Sequence, residues 1–351
     1  MANNDLQVPT HSDGKPRLSV WSLGGTAAMV TPAAGFGATP TLGAGDLIDA
    51  VPGIRDFALV DAVSFYSVPG ASLTIEQVIA LTDELRRACA SGADGIVVVQ
   101  GTDTMEETSY LAGLLWDLPQ PLVFTGAMRP ADAVGADGPA NLLAATLVAA
   151  SPDAWSRGSL VVMNDEIHLA ETVRKRHTSS VGAFGSPDSG AVGVLNERAV
   201  AFFSPPHRYE PLSIADGVPV PRVALVRLAL GDDTALVEAA AESYDGLIVE
   251  AFGGGHVPSW WTSSLASAAQ RMPVVLASRT GGGSVLTSTY DFPGSERGLL
   301  ESGLMSAGRL DGSKARILLT LVMMATSVQE DRSRMFARLA GRGPRRVNEG
   351  A

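Results

Sequence analysis

Two threonines, an aspartate and a lysine carry most of the chemistry that this chain offers. Thr26 closes the run Leu23-Gly24-Gly25-Thr26, and Thr102 lies in Gln100-Gly101-Thr102-Asp103-Thr104. Each follows an apolar stretch. A glycine before each hydroxyl lets the backbone turn sharply and brings the side chain forward. In open α/β sheets ligands sit beyond the carboxyl ends of the strands. If the two apolar stretches are neighbouring strands, Thr26 and Thr102 converge on one pocket, with Asp103 beside them. A hydroxyl becomes a nucleophile when an adjacent base takes its proton. None of the five histidines, His11, His168, His177, His207 and His256, stands at such a strand end next to an acid, so they read as surface or internally satisfied residues. Lysine can serve instead where its surroundings favour the neutral amine. Lys175, between Arg174 and Arg176, is the one mid-chain lysine among three, against 23 arginines. Each residue also has a plainer reading: turn residue or helix cap for the threonines, turn acid for Asp103, basic surface patch for Lys175.

The elements that would position these groups follow from periodicity. Leu18–Leu23 and Gly95–Gln100 read as strands, the second apolar on both faces, as in a parallel strand covered by helices on each side. Ile75, Val78, Ile79, Thr82, Leu85 and Cys89 recur at helical spacing, with Thr74 and Gln77 as a capping box and Gly92 as the stop. Cys89 then sits on the inner stripe as a core thiol. Thr104 and Glu107 read as a second capping box, with Glu106 in the first turn. Pro121–Thr125 and Ser159–Met163 are further strands, and Pro139 opens a helix to about Ala150. Strand and helix alternate as in an open α/β sheet with helices on both faces. Ser204–Pro221, punctuated by five prolines, breaks the rhythm. After it the pattern restarts, with strands at Val223–Leu228, Leu247–Ala251 and Val274–Ser278. Helices are expected at Thr234–Glu242, around Pro258–Arg271, from Asp311 to about Ala325, and from Ser327. The domains are placed at residues 1–207 and 222–351, with a linker at 208–221.

Composition excludes several classes. The 351 residues are 46% hydrophobic and 18% charged, enough for a sizeable core. Lys and Arg number 26 against 37 Asp and Glu, a net charge of −11, which argues against a phosphate-reading nucleic-acid partner. The longest apolar run, Ile317–Ala325, is about half the ~20 residues that span a bilayer, so no membrane partner is expected. One cysteine excludes a disulfide framework. No His/Cys/Asp/Glu cluster has ligand spacing, so no metal is expected. Gly253-Gly254-Gly255 and Gly281-Gly282-Gly283 do not continue as a dinucleotide fingerprint, so no nucleotide cofactor is expected either. The first residues, Met1 to Gln7, carry no signal pattern, giving a cytoplasmic expectation. The Gly/Arg-rich stretch from Gly341 reads as a frayed tail.

Gly24-Gly25-Thr26-Ala27 and Gln100-Gly101-Thr102-Asp103-Thr104-Met105-Glu106-Glu107-Thr108 resemble the two signature motifs of the bacterial asparaginase/glutaminase family. Gly126-Ala127-Met128-Arg129-Pro130, Asp137-Gly138-Pro139, Val162-Met163-Asn164-Asp165, Phe184-Gly185-Ser186-Pro187, Tyr244-Asp245-Gly246 and Ser278-Arg279 are similar to it as well. The resemblance runs from about Leu18 to Ala325. It implies a large N-terminal α/β domain with a mostly parallel sheet and a smaller flavodoxin-like C-terminal α/β domain. It also implies hydrolysis of a small-molecule amide through an acyl-enzyme without a cofactor, in a homo-oligomer, dimer or tetramer. By the resemblance Thr26 matches the mobile-loop nucleophile and Thr102, Asp103 and Lys175 the second catalytic group; which threonine attacks first stays open, with Thr26 favoured. Gly25, Gly70, Ala71, Ser72, Gly101, Asp103, Ala127 and Met128 are the substrate-binding positions.

The chain also departs from that pattern. The loop Ala27–Gly45 has Phe36 but no Tyr. Gly70-Ala71-Ser72 stands where a Ser-Gln-Asp-like segment holds the amino-acid end of the substrate. Gln100 replaces a common His, and Gly253-Gly254-Gly255-His256 replaces Gly-Asn-Gly-Asn. Losing a buried donor costs roughly 1–3 kcal/mol, or about one to two powers of ten in affinity. Asparagine is therefore the leading substrate, and an amide, lactam or imide without a free amino-acid end is the alternative. A binding or sensing protein on the same fold is the reading from another class.

Overall fold

Ile96 and Val98 point to one side of the strand that carries them, Val97 and Val99 to the other, and all four are buried. A strand apolar on both faces needs a helix layer on each. The structure, a computed structural model, supplies both and describes residues 14–31, 37, 39–206 and 211–341. The chain divides into two compact units, Met1–Pro211 and Leu212–Ala351.

The first unit begins with β1 (Arg17–Ser22), β2 (Met29–Val30), β3 (Thr39–Pro40), α1 (Ala44–Asp49), α2 (Ile54–Phe57) and β4 (Leu59–Ser64). It continues with α3 (Ile75–Ala90), β5 (Gly95–Val99), α4 (Met105–Leu115), β6 (Leu122–Thr125), α5 (Gly138–Ala150) and β7 (Ser159–Met163). It closes with β8 (Glu166–Leu169), β9 (Arg174–Lys175), β10 (Phe184–Gly185), β11 (Gly193–Asn196) and β12 (Ala199–Phe202). Eight strands form one sheet in the order β12-β11-β8-β7-β6-β5-β1-β4. It is parallel from β4 through β7 and antiparallel from β7 to β12. Val97 and Val99 pack with Leu142, Ala145 and Val148 of α5. Ile96 and Val98 pack with Leu81 and Leu85 of α3 and Met105 and Ala112 of α4.

Thr74 and Gln77 form their capping box, Thr74 Oγ1 accepting from the Gln77 N–H at 3.2 Å and Gln77 Oε1 accepting from the Thr74 N–H at 3.0 Å. Thr104 behaves otherwise. It occupies the N-cap of α4 but makes no side-chain cap bond; its hydroxyl instead donates to the Gly70 carbonyl at 2.9 Å, a tertiary contact that orients the side chain. Cys89 is buried on the inner face of α3. Burial, with the charge of Asp94, pushes its thiol up to about 12. At pH 8 only about one thiol in 10⁴ is then ionised. A thiol-specific disulfide reagent is expected to leave the native protein unmodified over minutes and to titrate one equivalent in denaturant, read by absorbance.

The second unit comprises β13 (Val223–Arg227), α6 (Ala235–Ser243), β14 (Gly246–Ala251), α7 (Thr262–Ala269), β15 (Val274–Ser278), α8 (Glu296–Glu301), β16 (Met305–Ser306), α9 (Gly312–Ala325) and α10 (Gln329–Ala340). Its four-stranded sheet is parallel throughout, in the order β13-β14-β15-β16. Leu247, Val249 and Ala251 pack with Val237 of α6 and Leu265 of α7, and α9 lies against β13, β14 and β15. Asp311 caps α9, accepting from the Lys314 N–H at 2.9 Å. The last helix starts at Gln329, with Val328 as its N-cap, two residues later than the Ser327 expected. The described residues 211–221 carry no helix or strand. His11, Phe36, His207 and the tail beyond Gly341 lie outside the described residues, as do residues 1–13 and 207–210.

Candidate active site

β1 and β5 are adjacent and parallel, so their carboxyl ends lie side by side. After β1, the Leu23 N–H donates to Val99 O at 2.9 Å. Gly24 and Gly25 then turn with φ of 92° and 87°, where a side chain is strained. Thr26 follows, half-buried, at the start of a short 3₁₀ turn, Thr26–Ala28. After β5, Gly101 leads to Thr102, which is buried, and Asp103, which is exposed. The two turns touch: a Cβ on Gly25 would lie 2.2 Å from the Gly101 nitrogen. The end of β6 joins them, since a Cβ on Gly126 would meet Gln100 O at 2.4 Å. Ala27 and Ala127 both border Gly138.

Lys175 reaches this place from β9. Its amine donates to Thr102 Oγ1 at 2.9 Å and lies 2.6 Å from Asp103 Oδ1. The lysine side chain is 16% exposed and the aspartate's 67%, so the pair runs from the interior outward. The Lys175 main-chain N–H donates to Glu106 Oε2 at 2.7 Å. Glu106 stands in the first turn of α4, so the helix that begins just past Thr102 also holds the strand bearing Lys175. Spacing showed Glu106 only as a first-turn acid; its tertiary bond left no local signal.

The recognition positions contain little side chain. Gly70 is buried in a 3₁₀ turn, Gly70–Ser72, and a Cβ there would meet Gly101 O at 3.0 Å. Ala71 and Ser72 are exposed. Met128 is half-buried, its N–H donating to the Asp137 carboxylate, which Arg129 N–H and Asn141 Nδ2 also reach. Gln100 is buried, accepting from the Thr108 hydroxyl at 2.7 Å and donating to Gly101 O at 3.1 Å, so it braces the turn before Thr102.

Of the histidines among the described residues, His168 meets Ser186 and Glu166, His177 accepts from the Ser179 and Ser180 N–H groups, and His256 lies 3.2 Å from Glu296. Burial works against ionisation of Glu296. The N–H groups of Tyr290, Glu296 and Thr289, together with His256, outweigh it and hold the carboxyl below its usual range. Among the described residues no group of His, Cys, Asp and Glu could hold a metal ion, and no helix is long and apolar enough to cross a membrane.

Comparison with known proteins decides the family. Residues 17–208 match the family described as Asparaginase, N-terminal, and residues 222–336 match the Glutaminase/Asparaginase C-terminal domain. The chain belongs to the asparaginase family. It is 34% identical to the Probable L-asparaginase of Deinococcus radiodurans, over 92% of this chain and 97% of that one. It is 30% identical to L-asparaginase 2 of Escherichia coli, over 92% of each. The solved structure of the Probable Cytoplasmic L-asparaginase from Campylobacter jejuni is 29% identical. It superposes with a TM-score of 0.82 over 92% of this chain and 99% of that one.

In this asparaginase-family chain the Gly25–Gly101 contact allows a direct check of the geometry. Gly25→Ala would combine a positive φ with a Cβ 2.2 Å from main chain. Such strain costs about 1–3 kcal/mol. The variant is expected to melt roughly 5 °C lower and to lose more than tenfold in turnover, read by calorimetry and amide hydrolysis.

Proposed function

We propose that this asparaginase-family amidohydrolase releases ammonia from L-asparagine, giving L-aspartate, through an acyl-enzyme on Thr26. The observation that carries the reading is the Lys175 amine, 2.9 Å from the Thr102 hydroxyl and 2.6 Å from Asp103, on a turn that touches the turn leading to Thr26. Thr26 Oγ attacks the amide carbon, and main-chain N–H groups at the glycine turns stabilise the oxyanion. The C–N bond breaks, the threonine proton leaves with ammonia, and an ester remains on Thr26. Water then attacks that ester. Thr102 and Lys175 take its proton, the Thr102 O–H donating to the neutral amine as the relay runs. Aspartate leaves and Thr26 regains its proton. Asp103, exposed beside the lysine, meets the substrate's α-amino group.

The test is steady ammonia release from L-asparagine, compared by kcat/KM with a panel of amides, lactams and imides. Preference for asparagine by about 100-fold or more supports the reading. A better substrate without the amino-acid end would favour the second reading, which rests on Gly70: that position offers main chain only, and Ala71 and Ser72 are exposed. Calorimetric binding of asparagine with no product over hours would overturn hydrolysis and leave a sensing protein. We place the protein in the cytoplasm, the compartment in the description of the C. jejuni relative, to be read by cell fractionation. We take it as a homo-oligomer, dimer or tetramer, to be read by light scattering.

A further inference from the structure

A buried chain of hydrogen bonds beside the site takes no part in the reaction proposed above. His168 lies on β8, opposite Val161 of β7, and is 1% exposed. Its Nδ1 is 3.0 Å from Ser186 Oγ and its Nε2 is 3.2 Å from Glu166 Oε2. The Thr172 hydroxyl donates to Ser186 Oγ at 3.1 Å. The directions fix one another. An ionised carboxylate only accepts, so Nε2 carries the hydrogen. Nδ1 then accepts, so Ser186 donates to it, and Ser186 Oγ is free to accept from Thr172. This order needs a neutral imidazole. Burial lowers the His168 pKa against the pull of Glu166, and Arg176 acts in the same direction as burial.

This chain of bonds ends next to both strands of the hairpin that holds Lys175. Ser186 directly follows β10, whose Phe184 pairs with Lys175, and Thr172 lies three residues before Lys175. That hairpin has only two residue pairs, Phe184 with Lys175 and Gly185 with Arg174. A ribbon this short is not stiff by itself. His168, by contrast, belongs to the eight-stranded sheet. A misplacement of about 1 Å at a reacting group can cost about 10²-fold in rate, so an anchor at this point has a kinetic consequence.

We infer that His168 is a positioning residue for Lys175: through Ser186 and Thr172 it ties the β9–β10 hairpin to the sheet and holds the amine against the Thr102 hydroxyl. The inference rests on the role given to Lys175 above, and the experiment separates the two. Kinetics on asparagine are measured for His168→Leu, Ser186→Ala and Thr172→Val, with His168→Asn as the conservative variant, because Asn can place an acceptor near the Nδ1 position. His168→Leu and Ser186→Ala are expected to lower kcat about 10- to 100-fold with KM within about threefold, and His168→Asn to recover most of the loss. The second readout is the side-chain NMR of isotope-labelled lysine. The chain has three lysines, Lys15, Lys175 and Lys314, so the spectrum holds few signals. The Lys175 signal should move or broaden in His168→Leu and Ser186→Ala, return in His168→Asn, and leave Lys15 unchanged. If His168→Leu does not fold, Ser186→Ala and Thr172→Val carry the test. Unchanged kcat and an unmoved Lys175 signal in folded Ser186→Ala and Thr172→Val overturn the inference. So does a lowered melting temperature with full kcat. Lys175→Met is the control: if it remains active, the reading of Lys175 itself fails; if it is inactive while Ser186→Ala is normal, only the positioning role fails.

Discussion

Thr26→Ala and Thr102→Val are each expected to lower kcat for asparagine by about 10³-fold or more, without unfolding the protein. Removal of a nucleophile, or of a group acting as a unit with one, costs this much or more in enzymes that pass through an acyl intermediate. The two substitutions remove different things. Ala at 26 removes the oxygen that becomes acylated, so no ester forms. Val at 102 keeps the shape of a buried side chain and deletes only the hydroxyl that accepts from Lys175 at 2.9 Å. Rapid-quench measurement of enzyme-bound acyl group separates them: none in Thr26→Ala, and a trapped or slowly turned-over ester in Thr102→Val. Melting temperatures within a few degrees of the parent show that the fold is kept. Turnover within tenfold of the parent in both variants would remove both proposed roles.

Lys175→Met is expected to lower kcat by about 10²–10⁴-fold, the range associated with one general acid–base group. Methionine keeps most of the stem volume, and the orphaned Asp103 is 67% exposed, so it stays hydrated. A polar contact at so exposed a rim contributes about 0–1 kcal/mol. The loss should therefore appear in kcat with little change in melting temperature. Lys175→Arg should not rescue it, since a guanidinium keeps its proton and carries a planar fork into a space shaped for one amine. Restoration by arginine would mean that positive charge alone is needed at this position.

Much of this architecture is legible in the chain because its signals are local. Ile96 to Val99 are apolar at every position, which only a doubly covered strand requires. Thr74 and Gln77 form a capping box within four residues, and Asp311 caps α9 the same way. The strands at the antiparallel end of the sheet are short and partly exposed, and β4 is exposed except at Val60 and Val63, which are half-buried. β8 and β12 each turn back on the strand just before them through two residues, and strands of four residues with mixed exposure carry too little periodicity to be read from the sequence. The site divides in the same manner. The two Gly-Thr turns advertise themselves, because Gly24 and Gly25 adopt a positive φ and Gly101 has main chain where a side chain would stand. Lys175 sits on a two-residue strand; its place between two arginines marks it as a candidate base, and the resemblance groups it with Thr102 and Asp103. Thr104 illustrates the opposite error: a sound local cap pattern makes no cap bond, and its hydroxyl donates to the carbonyl of Gly70 instead.

Gly25, Gly70 and Gly101 meet main chain against main chain, at distances that leave no room for a methyl group. A surface made of bare peptide offers no side chain to exchange, so neither natural drift nor a mutant library can retune it one residue at a time. Selectivity for other amides has to be rewritten at the rim, where Ala71 and Ser72 are exposed and Met128 is half-buried.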